Sequence, residues 1–198
     1  AEGDEPACEK LMYGLIFAGL AAQMAGNSRP SFSAEHHLLQ LWEMEVINGR
    51  QEALYGEKIS VATMLVIQEY KRIAAAIREG RCRVRSYPED VSILIKKTFG
   101  NKDIFEKINE ENQPDPLEGI NPARLEECLT EIADVIDELP QEEELLQAMK
   151  KAGCKYSVYD IGLTDEIISL SLKLAPCVSR RLSLLRISKM LEIEGESL

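Results

Sequence analysis

Long apolar stretches alternate with short polar breaks along the chain, and the spacing of their apolar positions predicts helices. Ser33 precedes one such stretch and can serve as its N-cap, while Gly26-Asn27 ends the stretch before it. The first stretch is apolar on almost every side, and the middle of the third, Val61 to Ile67, is nearly all apolar, so we expect both helices to lie buried at the centre of the fold. The first three predicted helices cover about residues 6–25, 33–47 and 56–79.

In the second half of the chain, proline, glycine and asparagine residues mark the predicted starts and ends of the helices. Asn121-Pro122 is the clearest start, with an N-cap residue before a proline in the first turn. No segment has the pattern of a strand, and the basic stretch 81–85 is interpreted as a connector. These helices cover about residues 88–99, 102–111, 121–139, 140–153, 164–176 and 176–190. The sequence therefore predicts one all-α domain over residues 1–198, with about eight or nine helices around two buried ones.

Composition and charge narrow the function classes. The chain has 198 residues and a net charge of −11, which argues against binding to nucleic acid or to an anionic membrane. Its five cysteines are dispersed and odd in number, which indicates free thiols in a reducing compartment. The apolar run from Leu11 to Ala25 is shorter than the roughly 20 residues of a membrane-spanning helix. We therefore expect a cytoplasmic protein without a membrane segment.

The candidate chemistry lies at two predicted helix starts. His36 and His37 are the only histidines, and Tyr55 to Lys58 opens the next helix, so the two starts can converge on one cavity. Adjacent helical residues point about 100° apart, so a metal ion would take only one of the histidines. A hydrogen-bonded or surface histidine is the alternative interpretation. No nucleophile–base pair and no glycine-rich nucleotide motif is present, so no catalytic or cofactor-binding residue is assigned.

Several short sequence segments occur in the same order as in a known enzyme family. They resemble the helical C-terminal domain of sn-glycerol-1-phosphate dehydrogenases, which belong to the iron-containing alcohol dehydrogenase and dehydroquinate synthase superfamily. The C-terminal segment that ends in Arg180-Arg181-Leu182-Ser183-Leu184-Leu185 also resembles that group. The other blocks are Ser28-Arg29-Pro30, Glu35-His36-His37, Trp42-Glu43-Met44 and Leu54-x-Gly56-Glu57-Lys58.

The resemblance implies a metal-dependent oxidoreductase. In that family a separate N-terminal domain binds NAD(P), and one aspartate and two histidines of the helical domain hold zinc, iron or nickel. The metal polarises the carbonyl of dihydroxyacetone phosphate while the nicotinamide delivers hydride. His36 matches the first histidine ligand, whereas Tyr55 stands where the family has the second and Gln40 where it often has a further histidine. The aspartate ligand lies upstream of the matching region.

We therefore expect the metal- and substrate-binding half of such an enzyme, without its nucleotide-binding domain and inactive as an isolated chain. The resemblance implies a divalent metal, and NAD(P) only together with that domain. The expected partner is the missing N-terminal nucleotide-binding domain or another protein chain, with a homo-oligomer as one form. The alternative is a divergent, non-catalytic helical module that mediates protein association.

Overall fold

The computed structural model describes residues 3–28, 32–86, 92–100 and 103–195, and this part of the chain is predominantly helical. The predicted all-α fold is confirmed, with nine α-helices of at least six residues and a tenth of one turn among the described residues. Three 3₁₀ turns cover Val158–Ile161, Ala175–Val178 and Ser188–Met190. The α-helices are α1 (Glu5–Ala25), α2 (Ala34–Glu43), α3 (Tyr55–Arg78), α4 (Ser92–Phe99), α5 (Phe105–Glu111), α6 (Pro122–Glu127), α7 (Leu129–Asp137), α8 (Glu142–Ala152), α9 (Asp165–Leu174) and α10 (Leu184–Ile187).

Helix α3 is the centre of the domain, as its apolar pattern predicts. It packs against α2, α7 and α8, and ten of its 24 residues are buried. At its start, the backbone N–H of Leu54 donates to Glu57 Oε2 at 2.8 Å, which caps the first turn. Gly80, with φ of +71°, follows its end in the left-handed conformation that favours glycine.

Helix α2 is fixed to its neighbours by one buried polar contact and one ion pair. The indole Nε1–H of Trp42 donates to Ser171 Oγ of α9 at 2.8 Å, and both residues are buried. Lys58 of α3, also buried, donates from Nζ to the Glu43 carboxylate at the end of α2. These contacts fix α2 against both α3 and α9.

Helix α1 does not lie where its sequence predicts. None of its 21 residues is buried, and it makes no substantial packing contact with another element of the described chain. The expectation of a second buried helix is therefore wrong. Apolar character on every side shows that a helix suits a buried position, but it does not supply the neighbours that bury it.

Other predicted boundaries are also corrected. Helix α2 ends at Glu43 rather than near residue 47, and the predicted helix over 121–139 is two helices separated by Cys128. The predicted final helix is divided into 3₁₀ turns and the short α10, which leaves Leu182 49% exposed. The predicted starts at Pro88 and Asn101 lie outside the described residues.

A short two-stranded sheet closes one end of the described domain. Strand β1 (Cys82–Val84) pairs antiparallel with β2 (Leu191–Ile193), with Cys82 opposite Ile193. The prediction of a connector over 81–85 missed this strand. Three residues are too few for an alternating pattern, and the partner lies more than 100 positions away in the sequence.

None of the helices in the described ranges is both long enough and apolar enough to cross a membrane.

Candidate functional site at the start of helix α2

The candidate site is built on the first turn of α2. Ser33 occupies the N-cap position with extended backbone angles, and its carbonyl accepts hydrogen bonds from the backbone N–H groups of His36 and His37. Its own N–H donates to Glu35 Oε1 at 3.2 Å. The turn therefore presents Glu35, His36 and His37 side by side, and a carboxylate in this turn is favourable to the helix dipole.

His36 is held in a fixed orientation by two neighbours. Its Nδ1 lies 2.8 Å from Glu35 Oε1, and its ring stacks on the ring of Phe32 with centroids 4.2 Å apart. A carboxylate beside Nδ1 favours the tautomer that carries its proton there and leaves the Nε2 lone pair free. Metal-binding histidines commonly have this carboxylate–imidazole arrangement, so His36 has the chemistry of a ligand.

His37 lies in a different environment, although it is the next residue. Its side chain is fully buried, and neither Nδ1 nor Nε2 has a hydrogen-bond partner among the residues that the structure describes. Burial, and next the positive charge of Arg181, lower the pKa of His37 to about 4. His37 is therefore neutral at pH 7, with two unpaired ring nitrogens in the protein interior, where an unpaired polar group is costly.

Arg181 connects the C-terminal part of the chain to this turn. Its Nη1 donates to the Phe32 carbonyl at 3.1 Å, its Nη2 donates to Ser28 Oγ at 2.7 Å, and its guanidinium lies 5.0 Å from the Phe32 ring centroid. Sequence reasoning did not assign Arg181 to the site. Its only sequence signal is its place in the tail block that carries the resemblance. Arg29, in the same loop as Ser28, lies outside the described residues.

Tyr70 of α3 lies beside the first turn of α2. Burial, and next the Glu35 carboxylate, raise the pKa of Tyr70, although hydrogen bonds with the Leu185 backbone and the Ser33 side chain act in the opposite direction. Tyr70 therefore remains a neutral phenol. The contact with Ser33 fixes the start of α2 against the middle of α3.

The two predicted helix starts do not converge. Ser33, at the start of α2, contacts Tyr70, whereas Glu43, at the end of α2, contacts Lys58. The two helices are therefore antiparallel, with contact points on α3 that are about 18 Å apart along its axis. Tyr55 precedes Lys58, so it lies towards the opposite end of α2 from His36. Its side chain is 59% exposed at the first turn of α3.

The donor set of the described chain is incomplete for a metal ion. No group of three or more histidine, cysteine, aspartate or glutamate side chains comes together in a ligating arrangement within residues 3–28, 32–86, 92–100 and 103–195. Catalytic zinc sites use three protein ligands, and Glu35, His36 and His37 do not form such a set. The described residues alone therefore do not fit a complete metal site. The prediction of His36 as a metal ligand stays a prediction.

Comparison with known proteins relates the chain to one enzyme family. The glycerol-1-phosphate dehydrogenase [NAD(P)+] of Geobacillus stearothermophilus is 24% identical over 175 residues, 87% of this chain and 36% of its own length. The enzyme of the same name from Halalkalibacterium halodurans is 24% identical over 183 residues, 92% of this chain and 38% of its own. That of Bacillus subtilis is 34% identical over 65 residues, which is 32% of this chain.

The chain thus spans little more than a third of the length of the curated relatives that it matches. No family model matches it, and no solved structure matches it. The similarity covers nearly the whole chain and connects it to oxidoreductases. The predicted resemblance to glycerol-1-phosphate dehydrogenases is therefore confirmed.

Proposed function

We propose that this chain is the metal- and substrate-binding half of a glycerol-1-phosphate dehydrogenase-like, NAD(P)-dependent oxidoreductase that acts on dihydroxyacetone phosphate. The similarity to enzymes of that name over 87–92% of the chain supports the proposal. The observation that carries it is the first turn of α2, where Glu35 orients His36 and leaves its Nε2 free. His36 is the proposed metal ligand, and the metal would supply Lewis-acid chemistry when bound.

We propose that the isolated chain does not catalyse this reaction. Its own described residues do not complete a ligand set, and the sequence has no nucleotide-binding motif. The proposed partner is a nucleotide-binding domain, present in a longer polypeptide or in another chain, that would supply the NAD(P) site. The dispersed, unpaired cysteines support a reducing compartment such as the cytoplasm.

The two histidines make a direct test of metal binding practical, because they give only two sets of imidazole signals. Zinc titration is followed by nitrogen-15 NMR of the imidazole rings in wild type, His36→Ala and Gln147→Ala. Gln147 is exposed on α8 and serves as the control. We expect weak zinc binding that moves the Nε2 signal of His36, is lost in His36→Ala and is retained in Gln147→Ala.

An enzyme assay tests the second part of the proposal. The purified chain is incubated with dihydroxyacetone phosphate, NADH or NADPH, and zinc or nickel, and nicotinamide oxidation is measured. We expect no turnover above the buffer control. Turnover that His36→Ala abolishes would contradict the proposed inactivity and would support the metal role. Zinc binding that is unchanged by His36→Ala would contradict the metal role itself.

The alternative is a non-catalytic helical module that mediates protein association. The exposed apolar surface of α1 is the specific observation that favours it. The two proposals are separable, because the first depends on α2 and the second on α1.

A further inference from the structure

Arg181 reaches the candidate site from the far end of the sequence, and three contacts of its guanidinium converge on the chain just before α2. Nη1 donates to the Phe32 carbonyl, and Nη2 donates to Ser28 Oγ. The guanidinium carbon also lies over the Phe32 ring, 5.0 Å from its centroid. Arginine suits this task because its planar fork donates in two directions and also stacks on aromatic rings. One side chain therefore holds both the backbone and the ring of Phe32.

The ring of Phe32 in turn restricts His36. The two rings are stacked, with an angle of 27° between their planes and centroids 4.2 Å apart. Glu35 Oε1 lies 2.8 Å from Nδ1 at the edge of the same imidazole. A hydrogen bond at Nδ1 alone would leave the imidazole free to tilt about that bond, and the stacked ring removes this freedom. The two contacts together fix the direction in which Nε2 points.

The segment that carries Arg181 is itself anchored to the core. Arg186 is buried, and its Nη1 donates to the carbonyls of Pro176 and Ser179 at 2.8 Å and 2.7 Å. Ser179 precedes Arg181 by two residues, and its Oγ accepts from the Arg181 N–H at 3.4 Å. The Arg181 side chain therefore extends from a fixed part of the backbone, as it must if it is to hold another segment in place.

Arg180, the residue before it, contacts a different part of the chain. It is exposed, its Nη2 lies 3.4 Å from the Gln113 carbonyl, and its backbone N–H donates to Glu111 Oε2. The two arginines carry the same charge at adjacent positions, but the contacts described above belong to Arg181. Substitution of Arg180 therefore removes the same charge from the same segment without touching Phe32.

We propose that Arg181 is a positioning residue for His36 and that it acts through Phe32. The C-terminal segment holds the ring whose stacking fixes the direction of Nε2, although Arg181 and Phe32 are 149 positions apart in the sequence. This role rests on the proposed function, in which His36 is the metal ligand. Arg181 itself would not bind the metal, because its guanidinium is always protonated and has no acceptor atom.

NMR of the imidazole protons in the metal-free full chain tests the geometry, at about pH 8, where imidazole is neutral. Protons over the face of an aromatic ring resonate upfield, so His36 should show this shift in wild type. We expect the shift to be lost in Phe32→Leu and Arg181→Ala and retained in Arg180→Ala. Arg181→Lys keeps the charge without the planar fork and should also lose it, which provides a second variant if Arg181→Ala does not fold. An unchanged shift in the Arg181 variants would overturn the proposal.

Zinc titration of the same variants tests the consequence for metal binding. Loss of a group that orients a ligand should weaken zinc binding by roughly tenfold or more in Arg181→Ala, with no change in Arg180→Ala. Because Arg181 acts through Phe32, the Arg181→Ala/Phe32→Leu double variant should bind no more weakly than Phe32→Leu. Additive losses, or wild-type affinity in Arg181→Ala, would overturn the proposal. A wild-type chain that binds no zinc would contradict the proposed function instead, and the metal-free NMR comparison would still decide whether Arg181 positions His36.

Discussion

Helices α1 and α3 are the two longest helices of the described chain, and their surroundings are opposite. Helix α1 is apolar on almost every side, whereas α3 has an apolar middle and charged residues in its first turn and its second half. Helix α3 is enclosed by α2, α7 and α8, whereas α1 has no buried residue. The comparison shows that an apolar sequence indicates only that a helix can be buried. The presence of complementary faces elsewhere in the chain decides whether burial occurs.

The two helices should differ most in how much unfolding free energy is lost when a large apolar side chain is shortened to alanine. Ile73 of α3 is fully buried, so Ile73→Ala should lower the free energy of unfolding by about 2–5 kcal/mol. Leu15 of α1 is 59% exposed, so Leu15→Ala should change the free energy of unfolding by no more than about 0.5 kcal/mol. Urea unfolding of both variants provides the measurement. Equal costs would show that α1 packs as α3 does.

The pH dependence of stability should report the buried, neutral ring of His37 in α2. The folded pKa of His37 is about 4, below the usual value of 6.5, so the unfolded state binds a proton more readily. Stability is therefore fully present above pH 6.5 and is lost as pH falls from 6.5 towards 4, by about 3 kcal/mol in total. The charged groups that act on His37 are Arg181, Glu35, Arg186 and His36.

Urea unfolding between pH 4 and 8, with a chelator present, measures this effect. His37→Leu should remove most of the slope between pH 6.5 and 4, and His36→Ala should retain it. A slope that is the same in wild type and in His37→Leu would show that His37 is not buried as a neutral ring.

These contrasts also show which parts of the molecule the sequence could predict. Local signals predicted the helices well, because Asn121, Pro122 and Gly153 fix a start or an end by chemistry that acts within a few residues. The pairing of β1 with β2 depends on contacts far apart in the sequence, and no local pattern encodes it.

Arg186 illustrates the same limit for a side chain. An arginine on a predicted helix is expected on its solvated side, yet Arg186 is 1% exposed and donates to the carbonyls of Pro176 and Ser179. In the candidate site, the sequence identified the pair His36-His37. It could not show that one ring is oriented by a carboxylate while the other is buried without a partner.

A smaller effect is expected from the single hydroxyl group of Tyr70. Tyr70→Phe removes a hydroxyl group that lies beside Ser33 and the Leu185 backbone, and should cost about 1 kcal/mol of unfolding free energy. Tyr13→Phe on α1 is the matched control and should have no measurable effect, because Tyr13 is 55% exposed. Thermal or urea unfolding compares the two. A larger cost for Tyr13→Phe would reverse the comparison between the helices.

The smallest expected effect concerns Tyr55. Family resemblance places a histidine at this position, but Tyr55 lies at the exposed first turn of α3, towards the opposite end of α2 from His36. Tyr55→His should therefore leave the zinc affinity of the isolated chain unchanged in calorimetric titration. A marked gain in affinity that also requires His36 would show that the two positions come together around the metal.

Hydrogen exchange tests the central contrast most directly. Amide exchange of α1 and α3 is compared by mass spectrometry in the full chain. We expect α3 to exchange slowly, because it is enclosed by its neighbours and has ten buried residues. We expect α1 to exchange rapidly, because none of its residues is buried. Protection of α1 equal to that of α3 would contradict the account.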